Sequence, residues 1–152
     1  MSDDLQNLYQ EMVVDHSRKP RNFRTMENPT RTAEGFNRLC GDRLTLYVKL
    51  SDGRIQDISF QGAGCAISNA SASLLTVSVK EKTLEEAAAL FKDVHRMLTE
   101  GRGSEAKPRD LGKLEALSGV WEFPSRVKCA TLAWHVLVSA LEKRQEITST
   151  ES

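Results

Sequence analysis

The chain has 152 residues, with 21 Lys and Arg balancing 21 Asp and Glu, 39% hydrophobic residues and three cysteines. This length suits one domain, 1–152, with a core that needs no disulfide staples, and a formal net charge of zero argues against a nucleic-acid binder steered by a global field. No run approaches the roughly 18 apolar residues of a membrane span, and the acidic, amphipathic stretch 1–10 does not read as a signal peptide, so a cytoplasmic protein with reduced cysteines is expected.

In residues 4–16, Leu5, Leu8, Tyr9, Met12 and Val13 recur at spacings of three and four, one stripe of a helix. Ser2 or Asp3 can cap it, and Pro20 stops it. The basic run 18–24 reads as a surface segment, with electrostatic docking of a partner as its second reading. A short edge strand is expected over 30–33. In 43–50, Leu44, Leu46, Val48 and Leu50 alternate with polar neighbours, a half-buried strand. Asp52-Gly53 supplies a tight turn, and 54–61 returns with Ile58 and Phe60 on one face. Ile55 is out of phase with them, which predicts a bulge near the start of that strand.

After Gly62-Ala63-Gly64 the period becomes helical, with Ile67, Ala70 or Ser71, Leu74 and Val77 among small residues. Thr83 and Glu86 form a capping box for a third helix, whose stripe is Leu84, Ala87, Ala88, Phe91, Val94 and Leu98, ended by Gly101. Residues 102–109 read as a mobile connection and 110–119 as a short helix. A last helix from Pro124 carries Val127, Ala130, Trp134, Leu137 and Leu141, and the tail after about 146 is expected to be frayed and flexible. The order predicts an α+β fold, a small antiparallel β-sheet packed against several α-helices.

Each cysteine has a distinct context. Cys40 and Asp42 flank Gly41 just before a strand, so their side chains can project to the same side. Cys65 sits at a helix start, where unpaired amides and the helix dipole stabilise negative charge. Cys129 lies about one turn into the last helix, with Arg126 three residues earlier on the same face. Three thiolates and one carboxylate are a full tetrahedral set for zinc, and thiolates also hold iron–sulfur clusters. Buried, unreactive thiols weigh about evenly against a metal on spacing alone, because there is no Cys-x-x-Cys pair. The charge-stabilising context of all three tilts the balance toward metal. His16 is expected to pack or cap, His95 and His135 to lie on the surface, Trp134 in the core, and Trp121 in core or interface.

The motifs then become recognisable: Leu8-Tyr9, Asp15-His16, Pro20-Arg21-Asn22, Cys40-Gly41-Asp42, Gly62-Ala63-Gly64-Cys65-Ala66-Ile67-Ser68, Leu117-Ser118-Gly119-Val120, and Phe123-Pro124-Ser125-Arg126-Val127-Lys128-Cys129. Across nearly the whole chain the sequence resembles the iron–sulfur cluster assembly scaffold superfamily of the IscU and NifU N-terminal type, and within it the SufU branch. IscU-type proteins carry His before the third cysteine, whereas this chain has Lys128; the stretch 101–119 also resembles the segment that sets SufU-like proteins apart. Where the family often has Pro before Cys-Gly-Asp, this chain has Asn37-Arg38-Leu39.

The resemblance implies a SufE/NifU-like fold and one zinc ion held by Cys40, Asp42, Cys65 and Cys129. It implies that Cys40 accepts sulfur from the persulfide of a pyridoxal-phosphate-dependent cysteine desulfurase of the SufS kind, after a partner histidine takes over a zinc position, with Arg126 stabilising charge nearby. Downstream iron–sulfur assembly proteins would be further partners, with neither nucleic acid nor membrane. The alternative within the superfamily is a scaffold that assembles and transfers a [2Fe-2S] cluster, or binds iron, on the same four residues. Outside it stand a thiol hydrolase pairing Cys65 with His16 or His135, and a structural domain without metal.

Overall fold

The computed structural model describes residues 3–38, 41–101, 111–142 and 147–149, with side chains from Asn7 to Glu142 within those spans. Helix α1 (Asp3–Arg18) ends where Pro20 forbids continuation, its last turn closed by the Lys19 N–H donating to the Asp15 carbonyl. Strand β1 (Arg31–Asn37) is longer than the predicted 30–33 and is not an edge, since β2 flanks it on one side and a short β4 on the other. Its inward residues are Ala33, Gly35 and Asn37, small or polar, and they give no apolar alternation to read.

Strands β2 (Asp42–Ser51) and β3 (Arg54–Ala63) form the expected hairpin, with Asp52 and Gly53 at φ values of 52° and 74° in the turn. The register slips between Lys49, opposite Asp57, and Leu50, opposite Ile55. That slip is the bulge predicted from the phase of Ile55, and it puts Ile55 in the core with Ile58 and Phe60. Strand β4 (Ile147–Ser149), where the sequence predicts a frayed tail, pairs parallel with β1. The sheet order among the described residues is β3-β2-β1-β4, antiparallel except at that end.

The basic run does more than face solvent. The Phe60 N–H donates to the Asn22 carbonyl and the Arg24 N–H to the Phe60 carbonyl, so this segment covers the open edge of β3. Arg24 also forks onto Asp57 at 2.8 and 2.9 Å, and Arg21 pairs with Asp15.

Helix α2 (Ala66–Val79) is buried on most sides between α1 and α4, while Val77 of the predicted stripe is exposed. Its serines and alanines allow that close packing. Helix α3 (Leu84–Glu100) has the predicted capping box; it buries Ala87, Val94, Met97 and Leu98, with Ala88 exposed instead of Met97. A 3-10 helix, Gly112–Leu117, and a turn, Val120–Glu122, lead into α4 (Pro124–Leu141). Helix α4 crosses β1 and β2 and contacts α2 and α3, with Trp134 fully buried. Each such large apolar side chain contributes roughly 1.5–3 kcal/mol by burial. His95 and His135 are half-buried rather than on the surface: with Phe91 they form a cluster of rings joining α3 to α4, their centroids 5.6 Å apart.

Candidate metal centre

The loop Gly62-Ala63-Gly64 brings the end of β3 against the start of β2. A Cβ on Gly62 would stand 2.1 Å from the Arg43 carbonyl oxygen, and one on Gly64 would stand 2.7 Å from Asp42 Oδ1. Glycine at these positions lets Asp42, the first residue of β2 and 1% exposed, reach across to the following residue. Its Oδ1 accepts the Cys65 backbone N–H at 2.8 Å.

Cys65 is the N-cap of α2, in extended conformation, and its sulfur accepts the Ser68 N–H at 3.4 Å. This matches the expectation that the helix start offers amides to that sulfur. The same sulfur stands 4.0 Å from Asp42 Oδ2. Cys129 arrives from a third direction, on the second turn of α4, buried, its sulfur 3.8 Å from Asn37 Nδ2. Ser71 of α2 donates to the Ala130 carbonyl at 2.6 Å and so pins the two helices beside the centre.

One ligand atom from each of Asp42, Cys65 and Cys129 lies within 4.8 Å of the others. Cys40, the fourth predicted ligand, lies outside the described residues, as do residues 102–110. Gly41, between Cys40 and Asp42, has φ of 72°, a conformation that favours glycine. Arg126 is exposed, with its guanidinium 4.7 Å above the Phe123 ring, and it borders a groove with Tyr9, Val13 and Ile67. His16 and His135 are engaged elsewhere. His16 Nδ1 is 2.7 Å from Ser73 Oγ in the interior, and His135 packs on α3. Burial first, then the charge of Arg21, holds His16 below the usual histidine range, and burial with the nearby His95 does the same to His135.

The donor set suits a soft or borderline cation. A tetrahedral zinc with bonds of about 2.3 Å to sulfur and 2.0 Å to oxygen separates its ligands by less than 4 Å, a small contraction from the observed spacing. Thiolate ligands select zinc or iron–sulfur chemistry over magnesium or calcium. Asn37 is not among the sequence-predicted site residues, because it lies beyond the predicted strand 30–33, at the inward-facing end of β1.

Residues 8–148 match the model of the NifU-like N-terminal domain. The chain belongs to that family. It is 39% identical over 143 residues to the zinc-dependent sulfurtransferase SufU of Bacillus subtilis, covering 93% of this chain and 95% of that one. It is 40% identical over 139 residues to the iron–sulfur cluster assembly scaffold protein IscU of Streptococcus pyogenes, covering 91% and 86%. Among solved structures it is similar to a Fervidobacterium islandicum protein described as an iron–sulfur cluster assembly scaffold for the SUF system. That pair has a TM-score of 0.80 at 34% identity, covering 92% and 99% of the chains. A NifU-like protein from Brucella abortus, 20% identical with a TM-score of 0.79, shares the fold. The α+β architecture expected from the sequence is the family's own.

Proposed function

We propose that this protein is a zinc-dependent sulfur acceptor for a pyridoxal-phosphate-dependent cysteine desulfurase, acting in iron–sulfur cluster assembly in the cytoplasm. The observation that carries this reading is the meeting of Asp42, Cys65 and Cys129 from three separate elements within 4.8 Å. These three residues and Cys40, two positions before Asp42 in sequence, would hold the metal. Bound zinc would keep the thiols deprotonated and shield them from oxidation.

Cys40 is the acceptor in this reading. Its thiolate attacks the outer sulfur of the donor's cysteine persulfide; a new S–S bond forms, the old one breaks, and the donor cysteine leaves as thiolate. The exchange needs no external oxidant or reductant. Arg126, exposed one turn before Cys129, offers positive charge to the anionic donor. Among the described residues no helix is long and apolar enough to cross a membrane.

The likeness to a protein named as an IscU scaffold supports a second reading, assembly and transfer of a [2Fe-2S] cluster on the same residues. One experiment separates the two: metal analysis of protein purified without added metal, followed by alanine release from cysteine by the desulfurase. One zinc per chain, stimulation of the desulfurase, and loss of stimulation in Cys40→Ala support sulfur acceptance. A chromophoric cluster without stimulation supports the scaffold. Metal-free protein whose Cys40→Ala, Cys65→Ala and Cys129→Ala variants fold and act normally overturns both.

A further inference from the structure

We infer that Asn37 is a positioning residue of the metal centre, its buried side-chain amide donating to the Cys129 sulfur and orienting that ligand. The inference rests on the metal reading above. Asn37 is fully buried at the end of β1, on a strand face that otherwise packs into the core. An amide there is costly unless it is hydrogen-bonded, so an apolar side chain would serve packing better. Its Nδ2 stands 3.8 Å from Cys129 Sγ, a separation that sulfur's size allows for an N–H donor.

Asp42 receives the Cys65 amide and Cys65 receives the Ser68 amide, both from the backbone. Cys129 lies within α4, and the Asn37 side chain places a donor beside its sulfur from another element. Three thiolates and a carboxylate carry more negative charge than one zinc offsets, and hydrogen bonds to those ligands reduce the excess.

Asn37 is also the cross-strand partner of Asp42. One closing pair of the β1–β2 connection therefore supplies a ligand on one side and a donor on the other, and Cys40 falls between them in sequence. Asn37 thus ties the strand pair to α4, the element that arrives from farthest along the chain.

Asn37→Asp keeps the size and replaces the donor with an acceptor of like charge; Asn37→Leu removes all polarity. Both are expected to weaken zinc binding by about 10–100-fold in chelator competition, with Asn37→Asp the weaker binder. Both are also expected to shift the thiolate-to-metal charge-transfer band of the cobalt-loaded protein, a signature that packing alone does not move. In the wild-type chain the Asn37 side-chain amide protons should move downfield on cadmium loading, as followed by NMR, and this reading needs no variant to fold. Zinc affinity within about twofold of wild type with an unmoved cobalt band overturns the inference and leaves the metal reading standing. Unmoved Asn37 amide protons in cadmium-loaded wild type do the same. A wild-type chain that binds neither zinc nor cobalt overturns both.

Discussion

Gly64→Ala adds one methyl group directly against the Asp42 carboxylate. The new carbon would stand 2.7 Å from Asp42 Oδ1, 3.2 Å from its Cγ and 3.2 Å from Ser68 Oγ. Ordinary contact is near 3.4 Å or more, so the carboxylate must withdraw by about 0.7 Å. Asp42 is 1% exposed, and the oxygen that must retreat is the one holding the Cys65 N–H at 2.8 Å. Losing a charge-assisted hydrogen bond in the interior costs about 1.5–3 kcal/mol, and overpacking costs a similar amount where neighbours cannot yield. Metal-free Gly64→Ala is therefore expected to lose about 2–3 kcal/mol in urea unfolding followed by circular dichroism. In the proposed zinc centre, where Asp42 is a ligand, it should also bind zinc more weakly. Gly119→Ala is the control, since no described residue lies within 4 Å of its added carbon and its φ is −88°. It should be neutral or slightly stabilising. A Gly64→Ala curve that overlays Gly119→Ala, with unchanged zinc affinity, would refute the claim that the Asp42–Cys65 contact is tight.

Buried His16 and half-buried His135 both have folded-state values below the ordinary 6.5, so the unfolded chain takes up protons first. Stability should be level above about pH 6.5 and fall as pH drops through the folded values, and His16→Gln should flatten that fall in a series of urea titrations. Ser71→Ala removes the donor that pins α2 to α4 at Ala130 and should cost about 1 kcal/mol in thermal unfolding; a loss indistinguishable from zero would show that the strut is dispensable. Gly101 has φ of 81°, and an added Cβ would meet the Trp121 ring at 2.6 Å. Gly101→Ala should thus lose about 1–3 kcal/mol, and more than Gly112→Ala, which shares the positive φ but has no described residue within 4 Å of the added carbon. Equal losses in the two would place the cost in the backbone alone.

Much of the fold is legible in single residues. The turn at Asp52-Gly53, the capping box of Thr83 and Glu86, the stop at Pro20 and even the bulge betrayed by Ile55 are local in origin. Each arises from a torsional preference, an end amide or a side-chain period within a few residues. Strand β1 was less legible because Ala33, Gly35 and Asn37 carry no apolar signal, although its partner β2 supplies the burial. The covering of β3 by 22–24 was hidden because main-chain atoms make it, and these look alike in any sequence.

The site divides the same way. Sequence by itself offered the candidate ligands and determined two local geometries: Gly41 beside Asp42, and the glycine-led helix start that presents Cys65. Tertiary structure alone decided that Cys129, 64 residues after Cys65, meets them, because α4 is carried there by packing across β1, β2 and α2. It also decided that His16 is spent on Ser73 and that Asn37 faces a sulfur. The reason is physical: caps and periods act over a few residues, whereas burial joins whichever surfaces fit, however far apart they lie along the chain.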